Sequence, residues 1–424
     1  MARILVGSVP VVGHINPLVP IVRALCARGH EVRWYTGAKH RSKVEATGAQ
    51  FVRWTHARDY DDAKIEREFP GRAHLRGMAQ LKFDMKRVFI DNGPGQLLDL
   101  QQIAQTFAPD VLLCEAGSFG GLFYSELTGV PIVVLGVIPL ARSSIDTAPF
   151  GLGLAPDATA LGRIRNRALN WAVEHVLFRD VQHHWNETRK RLGLPPTGWW
   201  LDAGDRATVY MQPSIPGVEH PRSDLPGNVR FIGMVPPDVP ADWVPPEFWH
   251  ELDGTRPIVH VTQGTIANAE PDLIAPALEG LANENVLVVV ATGGRTPDGL
   301  GLRNVPRNAR VGTFFSYPEL LPKTSVMVTN GGYGGVQMAL AHGVPLVVAG
   351  TSEDKPEVAT RVACSGAGVN LKTATPTPEQ VRTAVHALLD QSRYRERAQA
   401  LAAEYARYDA VKLAVETVEG LIAR

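Results

Sequence analysis

What most restricts this chain is one alternation of textures that occurs twice. Short, nearly uninterrupted apolar runs, "RILVGSV" at 3–9, "EVRWYTG" at 31–37, "PDVLLCE" at 109–115 and "PIVVLG" at 131–136, bracket segments with apolar residues at helical spacing, "PLVPIVRALCARG" and "GLFYSELTG". The pattern resumes with "PIVHVTQGT" at 257–265, "LVVVATGG" at 287–294, "ARVGTFF" at 309–315, "SVMVTNGG" at 325–332 and "PLVVAG" at 345–350. Apolar runs of this kind suit strands buried on both faces of a parallel sheet. Strands alternating with helices imply right-handed crossovers and an α/β architecture. The proline-rich stretch at 227–257 favours extended chain over helix and reads as a linker. With 424 residues the chain is long for one core. We expect two Rossmann-like domains, 1–226 and 258–395, with parallel sheets, followed by a charged helical segment at 396–424.

Residues 112–136 and 326–350 align without a gap at an offset of 214, with nine of 25 positions identical. The identities include Gly117/Gly331, Gly120/Gly334, Gly121/Gly335 and a shared Gly-Val-Pro. This fits one strand–loop–helix–strand unit per domain, or an echo that any βαβ protein shows. Glycine between a strand and a helix lets main-chain N–H groups approach a ligand, and the helix N-terminus behind it favours an anion. "NGGYGG" at 330–335 sits in that position, as a phosphate loop or as a tight turn. It is neither a Walker loop nor an orthodox dinucleotide fingerprint.

In the first domain, "VGHINP" places His14 just beyond the first strand, and Glu115 ends another. Ligands in open α/β sheets sit at the carboxyl ends of strands. A carboxylate beside a histidine fixes its tautomer and stabilises the imidazolium formed on proton uptake. His14 is therefore a candidate general base; the alternative is a helix-start histidine with an ordinary hydrogen bond. "DYDD" at 59–62 reads as a solvated loop more readily than as a cation site, and the adjacent histidines of "QHHW" at 182–185 point apart on a helix.

Lys plus Arg and Asp plus Glu are equal at 43 each, which gives no footprint for nucleic acid or an anionic membrane. Three cysteines are too few for a disulfide framework or zinc site, and the N-terminus reads as a strand rather than a signal peptide. No apolar run approaches membrane length. These features lead us to expect a cytoplasmic protein.

With these residues assembled, the chain resembles the inverting, nucleotide-sugar-dependent enzymes of the UDP-glycosyltransferase family. "GHINPLVPIVRALCARGHEV" is similar to the family's N-terminal motif, and "PDVLLCEAGSFGGLFYSELTGVPIV" to the segment bearing the acidic partner of its base. "VHVTQGT" is similar to the strand opening the donor domain. "VGTFFSYPELLPKTSVMVTNGGYGGVQMALAHGVPLVVAGTSEDKPEVATRV" is similar to the donor signature. The resemblance covers essentially the whole chain. It implies a GT-B fold, with the two domains facing a central cleft and the C-terminal segment packing back across it. It further implies His14 as base and Glu115 as its partner. Donor contacts would come from Gly13, Gly264, Thr265, Phe314, Phe315, Asn330, Gly331, Gly332, Gly334, Gly335, Gln337, Asp354 and Lys355.

The chain departs from the family at four places. Asn330 stands for a phosphate-contacting His, Met338 for a ribose-binding Glu, Phe314 for a base-flanking Trp, and Asp354-Lys355 for an Asp-Gln pair that reads sugar hydroxyls. Met338 cannot accept from a ribose. That fits a deoxythymidine diphosphate sugar, or transfer of the role to Gln337 or Glu353. Lys355 either adds charge beside the sugar or is a surface lysine paired with Glu353.

The expected activity is inverting transfer of a hexose from a UDP- or dTDP-sugar to a hydroxyl of a small, aromatic or macrocyclic acceptor. No cofactor and no metal are expected. Phe83, Phe89, Ile145 and Phe150 are candidate acceptor contacts, and the protein is expected to be a monomer or homodimer. The alternatives are a sugar-nucleotide epimerase of the same fold and a catalytically silent nucleotide-sugar-binding protein.

Overall fold

The computed structural model describes residues 1–238, 243–264, 272–296, 298–300, 302 and 305–422. The first sheet holds β1 (Arg3–Gly7), β2 (Glu31–Thr36), β3 (Gln50–Arg53), β4 (Val111–Glu115), β5 (Ile132–Leu135), β6 (Val209–Gln212) and β7 (Val229–Phe231). Its order is β3-β2-β1-β4-β5-β6-β7. The second holds β8 (Ile258–Thr262), β9 (Leu287–Ala291), β10 (Ala309–Gly312), β11 (Val326–Thr329), β12 (Leu346–Val348) and β13 (Gly368–Asn370), in the order β10-β9-β8-β11-β12-β13. Every pairing in both sheets is parallel.

Each apolar run quoted above forms one of these strands. The helix Leu18–Ala27 buries Leu18, Val19, Ile21, Val22 and Leu25 against the first sheet. It stops in a Schellman turn: Gly29, at φ +82°, donates to the Cys26 carbonyl, and the His30 amide reaches back to Leu25. One boundary needs correction. Val229–Phe231 lies inside the stretch read as linker, yet it pairs with β6 as the seventh strand. Its three residues are too short a run for periodicity to reveal.

The two 25-residue stretches occupy equivalent places. Adding 214 to β4, to the helix Phe119–Thr128 and to β5 lands within a residue or so of β11, the helix Tyr333–Ala341 and β12. In each sheet the strand order reverses beside that unit, between β1 and β4 and between β8 and β11. Such reversals open a crevice at the carboxyl ends of the strands.

The last helix, Ala410–Ile422, returns to the first lobe. Ala410, Ala414, Val415 and Val418 share a core with Ile4, Val6, Leu18 and Val22. Glu419 ties it down by pairing with Arg28 and His30, at 2.7 and 3.0 Å. No helix among the described residues is long and apolar enough to cross a membrane.

Candidate active site

His14 sits on a single helical turn, Val12–Ile15, immediately after β1. Glu115 is the last residue of β4, the neighbouring strand across the switch point. Their side chains meet, with His14 Nδ1 2.5 Å from Glu115 Oε2. Glu115 is fully buried, whereas the His14 side chain is 18% exposed. The amides of Val9 and Gly117 also donate to this carboxylate, at 3.0 and 2.7 Å. Three donors fix the carboxylate, and it in turn fixes the imidazole. With Nδ1 facing an acceptor, the neutral ring carries its proton there and leaves the Nε2 lone pair free. The Phe89 ring lies 6.1 Å from the imidazole.

Sequence reading missed one support of this turn. Asp62, from the "DYDD" stretch, accepts the Val12 amide at 2.9 Å and pairs with Lys39. The stretch is thus partly an anchor for the His14 turn rather than a solvated loop.

In the other lobe the glycine loop runs from β11 into the helix Tyr333–Ala341, whose N-cap, Gly332, supplies no side-chain cap. An α-helix offers its own first N–H groups no acceptor, so the amides of Tyr333, Gly334 and Gly335 need an outside partner. Gly331 makes the turn at φ +88°, where a Cβ would stand 2.9 Å from Val348. A side chain added at Gly334 would meet nothing within 4 Å, so the loop opens onto space. Asn330 is used structurally: its Nδ2 donates to the Gln263 carbonyl and binds this loop to the end of β8. Gly264, at that end, has φ +76°. Phe314 is 60% exposed beside the Gly293–Gly294 turn, a flat ring available for stacking. Met338 is half-buried one turn beyond Gly334, on the same side of the helix.

The lobes approach each other at this point. Burial, opposed by neighbouring Lys355, pushes the half-buried Asp354 carboxyl up to about 6, and His14 of the other lobe lies near enough to act on it electrostatically. Burial likewise raises Asp84, against the pull of Arg72, and Glu353 of the opposite lobe adds to the rise.

Several expected contacts are displaced. Gln337 is buried, and its Oε1 accepts from Tyr405 on the helix Ser392–Tyr405, away from the open side of the loop. Phe315 turns its ring onto Phe248 and Trp249. Phe83 lines a separate cavity of about 610 Å³ with Lys82, Lys86, Asp180 and His183, and no residue of the His14 pair or the glycine loop borders it. Lys355 is neither a surface lysine nor a free charge. It is buried, its Nζ pairs with Glu353, and its stem packs under Gly331 and Gly350. Ile145 is held by its main chain, donating to Asp224 and accepting from Asn166. Gly13 is exposed with open space around it, and Phe150 is half-buried. Thr265 lies outside the described residues. Among the described residues no group of three or more His, Cys, Asp or Glu could hold a metal ion.

Two parallel-sheet lobes, each with a crevice at its switch point, have the layout of the GT-B fold. The comparisons agree. Residues 277–420 match the family described as Erythromycin biosynthesis protein CIII-like, C-terminal domain. The chain is 44% identical to 4'-demethylrebeccamycin synthase of Lentzea aerocolonigenes, over 99% of this chain and 100% of that protein. It is 35% identical to UDP-glycosyltransferase 2 of Phaeomoniella chlamydospora, over 99% and 96% of the two chains. Among solved structures, the glycosyltransferase of kitacinnamycin superposes with a TM-score of 0.76 at 23% identity, covering 99% of this chain and 98% of that one. A spinosyn rhamnosyltransferase complexed with thymidine diphosphate gives 0.69 at 20% identity, covering 98% and 100%. The chain belongs to the UDP-glycosyltransferase family, and it is a glycosyltransferase.

Proposed function

We propose that this enzyme moves a hexose from a nucleoside-diphosphate sugar to a hydroxyl of a small, largely apolar natural product, with inversion at the anomeric carbon. The observation that carries the reading is the His14–Glu115 pair, which turns Nδ1 to a buried carboxylate and leaves Nε2 on a part-exposed ring. Nε2 takes the acceptor proton as the acceptor oxygen bonds to the anomeric carbon. The bond from that carbon to the diphosphate oxygen breaks on the opposite face, and its electron pair leaves with the nucleoside diphosphate. Glu115 stabilises the imidazolium. The departing charge meets the amides of Gly332, Tyr333, Gly334 and Gly335 at the positive end of their helix. Amides in that place let the reaction run without a metal or cofactor. Phe314 stacks on the base, and Asp354 reads sugar hydroxyls.

The names of the relatives support both donor types, UDP in one and thymidine diphosphate in the other. Met338 favours the deoxyribose form, because it offers a ribose hydroxyl no acceptor. The acceptor class follows 4'-demethylrebeccamycin synthase and the natural-product enzymes of the same fold. We place the protein in the cytoplasm, as a monomer or homodimer. The deciding experiment offers UDP-glucose and dTDP-glucose with a panel of phenolic and macrolide acceptors. Products are read by mass spectrometry and their anomeric configuration by NMR. A product with retained configuration, or turnover of donor to an epimer without acceptor, would defeat the reading.

Asp354 adds a pH signature. Its carboxyl titrates near 6, so it is an acceptor-only carboxylate above that pH and a protonated acid below it. The donor KM should therefore rise as pH falls through about 6, with affinity for the bare nucleoside diphosphate unchanged. In Asp354→Asn that pH step should vanish. A step that persists in the variant would assign the titration to another group.

A further inference from the structure

The lobes are joined by a buried polar network that the transfer step does not use. Glu219, in the loop after β6, accepts from the Tyr333 hydroxyl at 3.1 Å and the Leu140 amide at 3.3 Å. Its other oxygen accepts from Arg361 Nε at 2.7 Å. Arg361, on the helix Lys355–Ser365, also donates to Glu357 Oε2 at 2.9 Å. The second oxygen of Glu357 reaches out of its own lobe and accepts the amides of both Gly151 and Gly153 at 2.9 Å. Thr360 donates to the Gly153 carbonyl at 2.7 Å. Gly153 comes so close that a Cβ there would stand 2.9 Å from Pro356. The 150–153 segment of the first lobe is therefore seated on the first turns of the helix whose N-cap is Asp354.

We propose that Glu357 is a positioning residue that locks the 150–153 loop to the helix presenting Asp354. Acceptor side and donor-sugar side are thereby held in one register across the cleft. A buried carboxylate cannot lose its donors cheaply, since charge-assisted hydrogen bonds are the strong ones and an orphaned charge is costly. The loop belongs to the segment leaving the carboxyl end of β5, the strand beside the one that ends in Glu115, and ligands of open α/β sheets bind at that end. Misplacing reacting groups by about 1 Å costs about a hundredfold in rate, which is why such a seat matters. The proposal rests on the proposed function and on the reading of Phe150 as an acceptor contact.

Two full-length variants test it, Glu357→Gln and Gly153→Val, the second leaving the buried ion network whole. Hydrogen exchange over residues 148–154 should quicken about tenfold or more in both, as expected for lost hydrogen bonds to a charged group. For any panel acceptor that turns over, KM should rise about tenfold while UDP and TDP affinities hold within about twofold. The share of UDP-glucose lost to water should also rise. Unchanged exchange in both variants would overturn the proposal. So would acceptor and nucleotide affinities that fall together with the folded fraction, which is what a purely structural role predicts. If the wild type transfers to no acceptor, the functional reading fails on that result, and exchange alone then decides whether Glu357 holds the loop.

Discussion

His14→Ala is expected to lower kcat by about 10²–10⁴-fold, the range that a positioned general base contributes. Its affinity for UDP or TDP should stay nearly that of the wild type. The split follows from geometry. The imidazole stands on the first lobe, while the amides proposed to meet the diphosphate head the helix Tyr333–Ala341 on the second. Folding should survive, because Glu115 keeps the Val9 and Gly117 amides as donors when the imidazole is gone. Glu115→Gln should show a loss of similar order, since the amide NH2 can face Nδ1 and put the ring proton on Nε2, and the imidazolium loses its counter-charge. Steady-state kinetics with calorimetric nucleotide binding checks both. A His14→Ala enzyme that kept most of its turnover would remove the base assignment.

Arg361→Met is expected to cost about 3–5 kcal/mol of stability, because it strands Glu219 and Glu357 as buried, unpaired carboxylates. The guanidinium side chain is 1% exposed and bonds to both, so its loss leaves both carboxylates without an ion-pair partner away from bulk water. Adding Glu219→Gln should recover part of the loss, as one stranded charge is then removed. Removing an exposed pair, as in Arg41→Met beside Glu45, should change stability by no more than about 1 kcal/mol. Urea and thermal unfolding, compared at one pH, give all these values. A loss at Arg361 no larger than at Arg41 would mean that the network bears no weight.

How far each part was readable depends on the kind of signal. Strand positions were legible because a strand buried on both faces must be apolar throughout, and the runs at 109–115 and 287–294 show that directly. The pairing of His14 with Glu115 was legible because Glu115 ends one strand and His14 lies in the segment following the adjacent strand, where topology leaves few neighbours. The residues misjudged sit on helices and loops. Gln337 and Met338 are adjacent in sequence, yet one is buried against Tyr405 and the other only half-buried, and only packing sets that rotation. Phe315 follows Phe314 in sequence, but the aromatic cluster around Trp249 drew it inward. Glu357 and Arg361 read in sequence as an ordinary i,i+4 helix pair, whereas their bonds to Glu219 and to the Gly151 and Gly153 amides join distant segments and leave no local pattern.

Periodicity and glycine placement alone determined that this chain forms two parallel-sheet lobes, with His14 and Glu115 beyond the strands of one and a glycine-rich strand-to-helix loop on the other. Those properties are local: they follow from which residues can be buried in a strand and which backbone turns lack a Cβ. Tertiary structure alone decided which polar side chains cross from lobe to lobe, which aromatic rings face the gap, and that Glu357 grips the 150–153 loop. Those outcomes depend on distances between segments far apart in the chain, and a one-dimensional pattern holds no measure of them.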